Sequence, residues 1–282
     1  MMTAGNKGVI MMTVTFSDFE AEATTYSGRN GYLLGQAANL AYEGADKVLE
    51  TLDNWGFIEA RFLDRGDSQG YLASNDRLIL IAFRGTEPSK LKDIVTDINL
   101  ALTPGPVGRV HSGFNRALAL LWPELIDHFH GMYQGQPVWL TGHSLGAALA
   151  TLATARLLFD PADRLRIQGL YTFGSPRVGD EAFAARFDAE CQRFTYRYRN
   201  NNDVVTRVPL PAVIGPQYRH VGKLCYFDAT GRLRFRMSAW EMLWDRLRGR
   251  LDDLGKPLSD GMKDHFMKAY LEKLEQNLKT TP

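Results

Sequence analysis

The sequence predicts an α/β fold, with a mostly parallel central sheet, helices on both faces and an antiparallel edge. From residue 114 onward, short apolar runs alternate with helical patterns, the order that builds parallel sheets. "RLILIAF" (77–83) is a continuous apolar run, as expected of a strand covered on both faces. Residues 56–63 and 68–73 alternate in polarity around "DRGD", a hairpin signal that supplies the antiparallel edge.

The remaining elements follow in chain order. Residues 1–25 are expected to form a weakly ordered arm. "KGVIMMTVTF" is partly apolar, but its threonines and the nearby Asp18, Glu20 and Glu22 spoil a secretory signal ahead of "AEA" (21–23). In 30–43, Leu33, Leu34, Ala37, Leu40 and Ala41 recur at helical spacing, giving a helix with one buried face. A helix is expected over 114–130, with Pro123 marking a boundary or kink. "PVWLT" (137–141) reads as a strand, 145–158 as a helix, "IQGLYTF" (167–173) as a strand, 180–190 as a helix and "FTYRYR" (194–199) as a strand. No repeat or linker divides the chain, so 1–282 reads as one domain.

Composition narrows the function. A chain of 282 residues, 45 % apolar and 23 % charged, is long enough and ordinary enough for a globular core. The net charge of +1 gives no electrostatic argument for nucleic acid. No apolar run approaches the roughly 20 residues that span a bilayer. Cys191 and Cys225 are too few for a disulfide framework or a metal site, and read as reduced or buried thiols. These features favour a cytoplasmic protein, with secretion the alternative. Oligomeric state leaves no mark in the sequence.

The chemistry gathers at "LTGHSLGAAL" (140–149), where "GHSLG" follows a strand and opens a small-residue helix. That is the arrangement of a nucleophile elbow. Gly142 and Gly146 allow a bend too tight for side chains, which lifts Ser144 into an exposed, strained position. Ala147, Ala148 and Ala150 let the helix approach the sheet, and its N-terminal N–H groups favour negative charge near the serine. The bare pattern also fits an ordinary turn serine; its placement between strand and helix favours the elbow.

A serine nucleophile needs a base, a carboxylate to orient that base, and oxyanion donors. Asp203 in "RNNNDVVTRVPLP" follows the last of these strands on a polar loop, where an Asx-type turn is the bland alternative. Six histidines compete for the base. His143 lies inside the elbow, so its ring should point elsewhere. His128 and His130 fall on different faces of one helix and read as surface residues. His111 and His220 sit near strand or loop ends. His265 in "MKDHFMKAY" follows Asp203 and precedes a final helix, so its order fits, with His220 as runner-up. The oxyanion donors expected are the Leu145 N–H and, from "IAFRGTEP", Thr86, with Gly85 allowing a close turn.

Taken together, "LAYE" (40–43), "FRGTE" (83–87), "VHSGF" (110–114), "TGHSLGAALA" (141–150), "YTFGSPRVGD" (171–180), "NNNDVV" (201–205), "VP" (208–209) and "DHFMKAY" (264–270) resemble the class 3 lipases. These are the fungal-lipase-like branch of the α/β-hydrolases, and the resemblance covers roughly residues 30–270. It implies one α/β-hydrolase domain with Ser144 as nucleophile, Asp203 as acid, His265 as base, and Thr86 and Leu145 as oxyanion donors. It further implies hydrolysis of acylglycerol esters through an acyl-enzyme, without metal or organic cofactor, and leaves open whether a lipid–water interface takes part. A phospholipase A-type acyl hydrolase and a catalytically silent binding module are the alternatives. The chain departs from the family in having Ala147 where a glycine is common, in lacking a clear signal or disulfides, and in a long segment 222–262.

Two amphipathic stretches bear on the substrate. The resemblance puts a lid at 87–100, where Leu91, Ile94, Val95 and Ile98 form one apolar stripe. The segment 222–262 carries a second stripe: Trp240, Leu243, Trp244, Leu247, Leu251 and Leu254, with Arg246, Arg248 and Arg250 nearby. A core-packing helix is favoured there over a lipid-surface helix, because Asp245, Asp252 and Asp253 interrupt the cationic face. The expected role of this insertion is to help roof the acyl pocket.

Overall fold

A computed structural model describes residues 14–87, 101–159, 165–209, 217–238, 240–242, 244–245 and 263–280. Its strands are β1 (Glu59–Arg65), β2 (Ser68–Ser74), β3 (Ile79–Phe83), β4 (Leu102–Pro104), β5 (Arg109–His111), β6 (Val138–His143), β7 (Ile167–Phe173), β8 (Thr195–Asn200), β9 (Lys223–Phe227) and β10 (Leu233–Arg234). Its helices are α1 (Gly28–Leu40), α2 (Ala45–Asn54), α3 (Ser112–Met132), α4 (Leu145–Phe159), α5 (Glu181–Cys191) and α6 (Met267–Thr280).

The main sheet has eight strands in the order β1-β2-β3-β6-β7-β8-β9-β10. Strands β3, β6, β7, β8 and β9 run parallel, while β1 and β2 form the expected antiparallel edge. The central strands β3, β6, β7 and β8 are buried along their whole length, which is why β3 reads as a continuous apolar run, although β8 buries Arg197, Arg199 and Asn200 as well. One face packs a largely aliphatic core under α3, α4 and α5; the other packs an aromatic-rich core under α1, α2 and α6. Register then sets the site. Phe83 pairs with Gly142, His143 with Phe173, and Phe173 with Tyr198, so β3, β6, β7 and β8 end together along one edge.

Several expectations change. Pro123 neither ends nor divides its helix: α3 runs unbroken through it. The proline is exposed, while Leu118, Leu121, Leu125 and Phe129 are buried on the other side. Packing of that stripe outweighs the lost backbone hydrogen bond. Within the supposed loose arm, residues 14–25 are docked: Phe16, Phe19 and Ala21 are buried, and Trp139 Nε1 donates to Ala21 O at 3.0 Å. Aromatic burial supplies the order that the mixed composition obscured. The segment 222–262 begins with β9 and β10, which extend the sheet and add a second antiparallel edge.

Beyond β10, Trp240 and Trp244 are 65 % and 52 % exposed and meet edge to face at 5.9 Å. These two tryptophans are therefore not packed into the core. Asp245 is tied instead to the β9–β10 turn, accepting from Tyr226 Oη at 2.9 Å and Ala229 N at 3.0 Å. The expected lid, apart from Glu87, and residues 246–262 of the second stripe lie outside the described residues. Cys191 and Cys225 are free and buried, and burial pushes both thiols up to about 12. Among the described residues, no helix is long and apolar enough to cross a membrane.

Candidate active site

Ser144 stands at the turn between β6 and α4 with φ +57°, the only positive φ outside glycine among the described residues. Such a backbone is costly for a side-chain-bearing residue and survives only when its surroundings determine it. Here they do. A Cβ on Gly142 would lie 2.3 Å from Gly146 O, and one on Gly146 would lie 2.1 Å from Phe83 O. Ser144 N also donates to Phe173 O at 3.0 Å, fastening the turn to the neighbouring strand. Ala147 is fully buried where the elbow helix meets the sheet, so its methyl is accommodated.

The end of β3 comes up beside this turn. A Cβ on Gly85 would stand 2.5 Å from His143 O and 3.1 Å from Ser144 Cβ, so only glycine lets the 84–86 loop lie against the elbow. Thr86 follows at the rim, partly buried. Leu145 is the first residue of α4, whose opening N–H groups have no partner within the helix. Ala147 N and Ala148 N turn back to Ser144 O.

Asp203 and His265 are brought together with no exposed surface on either. His265 Nδ1 lies 3.0 Å from Asp203 Oδ1 and 2.9 Å from Oδ2. A carboxylate accepts, so Nδ1 carries the hydrogen and Nε2 is left bare. His265 Nε2 is buried and has no hydrogen-bond partner among the described residues. Ser144, 2 % exposed, is linked to this pair through the end of β7: its N–H is bonded to Phe173 O, and a Cβ on the next residue, Gly174, would lie 2.8 Å from His265 Cε1 and 3.0 Å from Asp203 Oδ2.

Asp203 is also the Asx-turn residue that its sequence suggested, accepting from Val205 N at 2.9 Å and Thr206 N at 3.4 Å. Burial alone would push its carboxyl up. The His265 ring and the Tyr270 hydroxyl outweigh that and hold it below the usual carboxylate range. Its loop is braced from outside, where Arg177 donates to Pro209 O at 2.6 Å and also to Arg207 O.

The other histidines have separate duties. His220 Nε2 lies 2.8 Å from Thr206 O, and burial together with Arg197 and Arg177 keeps its ring well below the usual range. The runner-up base thus braces the Asp203 loop. His111 caps α3, accepting from Phe114 N at 3.3 Å. His128 is partly buried and His130 exposed.

Two residues of the site escaped sequence reasoning. Tyr270 donates to Asp203 Oδ2 at 2.6 Å and accepts from Asn200 N at 3.0 Å, joining α6 to the end of β8. Tyr42 lies 2.7 Å from His143 Nδ1. Both stood in quoted motifs, "DHFMKAY" and "LAYE", yet a tyrosine's distant partner leaves no local signature.

The family described as "Lipase (class 3)" matches residues 80–213. A triacylglycerol lipase of Arabidopsis thaliana is 27 % identical, covering 83 % of this chain and 62 % of its own length. A secreted mono- and diacylglycerol lipase of Fusarium solani is 38 % identical over 42 % of this chain and 34 % of its own. The chain thus spans less than two thirds of the length of these relatives. A solved lipase of Rhizopus microsporus var. chinensis is 26 % identical with a TM-score of 0.54, covering 70 % of this chain and 72 % of that one. With the elbow, the paired Asp203 and His265, and these likenesses in sequence and fold, the chain is similar to the class 3 lipases, most directly over residues 80–213.

Proposed function

We propose that this chain is a serine carboxylic-ester hydrolase acting on acylglycerols. The observation that carries this reading is the bare, buried His265 Nε2, backed by Asp203, in the cluster that holds the strained Ser144. Ser144 Oγ attacks the ester carbonyl and gives its proton to His265 Nε2. The N–H groups of Leu145 and Thr86 take the developing oxyanion, a donor of this kind contributing about 2.7–4 kcal/mol to the transition state. The C–O bond then breaks, and the leaving alcohol takes the proton from His265. Water repeats the sequence against the acyl-enzyme and releases the fatty acid. Asp203 holds the imidazole in the right tautomer throughout.

The names of the Arabidopsis and Fusarium relatives support acylglycerols over other esters. The amphipathic 87–100 stretch is the segment we expect to cover Ser144, which is 2 % exposed, and to move when substrate enters. The Fusarium relative is named as secreted, and fractionation of producing cells tests whether this chain is exported too.

The test is a serine-directed phosphonate probe with esters of graded chain length. Labelling and turnover in the native chain, with both lost in Ser144→Ala by about 10⁴-fold or more, is expected. No labelling of the native chain would favour a silent binding module. Faster release of fatty acid from phospholipid than from acylglycerol would favour the phospholipase alternative. A rate jump above the ester's solubility limit would support a moving cover.

A further inference from the structure

Two polar side chains at the centre of the site take no part in bond making: Tyr42, just past the end of α1, and His143, the residue before Ser144. His143 is buried and both its ring nitrogens are occupied. Nε2 lies 2.5 Å from the main-chain oxygen of His265, and Nδ1 lies 2.7 Å from the Tyr42 hydroxyl. A carbonyl only accepts, so Nε2 carries the hydrogen. The neutral ring then has a bare Nδ1, and Tyr42 is its donor. The Tyr42 oxygen in turn lies against Gly85, where a Cβ would stand only 2.2 Å from it. The Arg84 guanidinium lies over the Tyr42 ring, 5.8 Å from its centroid.

These contacts form one path, from Gly85 packed on Tyr42 Oη, through His143, to the His265 carbonyl. One end is the oxyanion loop and the other is the backbone of the base, while the middle residue is bonded to Ser144. We propose that Tyr42 and His143 are positioning residues for ester hydrolysis: a hydrogen-bonded strut that holds the 84–86 loop, the elbow and the His265 backbone at fixed separations. The proposal rests on the hydrolase reading above. Asp203 grips the His265 ring and His143 grips its main chain, so the base is held at both ends. A misplacement of about 1 Å in such a site costs on the order of a hundredfold in rate.

The strut must also stay uncharged. The His143 and His265 rings are 4.6 Å apart, so a cation on His143 would oppose the proton that His265 takes from Ser144. Burial, and then His265 itself, push His143 down to about 3. The Tyr42 hydrogen bond fills the position that a second proton on His143 would need. The hydrogen bond to the His265 main chain, and after it Asp203, favour charge on His143, but both rank behind the loss of solvent and the neighbouring ring.

Three variants test this on a soluble short-chain ester, with melting temperature measured in parallel. Tyr42→Phe deletes the hydroxyl and keeps the ring. His143→Leu fills the space without hydrogen bonds, and His143→Gln restores a donor toward the His265 carbonyl. Tyr42→Phe is expected to lower kcat about tenfold and His143→Leu about a hundredfold, with KM within about twofold. His143→Gln is expected to recover at least about fivefold over His143→Leu. A merely structural role would lower the melting temperature and leave kcat of the folded protein unchanged. Tyr42→Phe, which keeps the packing, carries the test even where His143→Leu does not fold. A kcat within about twofold of the native chain in Tyr42→Phe, beside full native turnover, would overturn the strut alone. An inactive native chain would overturn the hydrolase reading and the strut with it.

Discussion

On one face of the sheet, α4 presses alanines against the strands, and the elbow is shaped by glycines whose missing side chains leave no room for even a methyl. On the other face, Tyr71, Tyr171, Tyr196, Tyr198 and Tyr270 crowd around α1 and α6, and hydroxyl groups rather than close backbone contact reach the site. The nucleophile is thus held mainly by exclusion of volume, the acid and base mainly by hydrogen bonds. Steric restraint yields all at once, whereas a hydrogen bond can be deleted with the shape kept. Substitutions on the two sides should therefore fail differently.

The largest effect is expected at Gly146. Gly146→Ala drives a methyl into Phe83 O and should cost about 3 kcal/mol or more, with loss of soluble folded protein and of activity together, as read by thermal melting. A near-native melting temperature would break the contrast. Tyr270→Phe removes only an oxygen from a buried carboxylate's shell. It should cost about 1.5–3 kcal/mol and lower kcat by about ten- to a hundredfold while the protein stays folded at 25 °C.

Acid should act through the same polar side. His143 is held neutral, pushed down to about 3, and His220 is held well below its usual range, so the unfolded chain binds more protons than the native one below about pH 6.5. Stability is then fully present above that pH and falls as pH drops toward 3. Asp203, held below the usual carboxylate range, adds a further loss only below about pH 4. The melting temperature should fall steadily between pH 6.5 and 4; a flat profile would contradict the buried neutral rings.

The smallest effect is expected at the exposed aromatic pair. Trp240→Ala with Trp244→Ala should change stability by no more than about 0.5 kcal/mol. If residues 222–262 help roof the acyl pocket, the same variant shifts preference among ester chain lengths; an unchanged preference removes that role.

What could be read from the sequence follows the range of the interactions. β3 and β7 announced themselves as apolar runs, and Ser144 as a residue between two glycines, because burial and tight turns act on neighbouring positions. Asp203 and His265 were found by order along the chain, and the structure joins them at 2.9 Å. The edge strands β9 and β10 were missed because they are short and carry exposed residues such as Lys223 and Arg234. Phe16 and Phe19 dock through contacts with distant residues such as Trp55 and Trp139. Tyr42 and Tyr270 act across the fold, on His143 and Asp203, so nothing in their own surroundings marks them.

Because β3, β6, β7 and β8 finish flush, each strand end delivers a different piece, while the imidazole arrives from just ahead of α6. No contiguous stretch of the polypeptide contains a working subset. Parallel pairing of remote segments is the slow part of assembling such a topology. Turnover should therefore emerge late during refolding, after helical signal has largely returned, making hydrolysis a sensitive clock for completion of the native architecture.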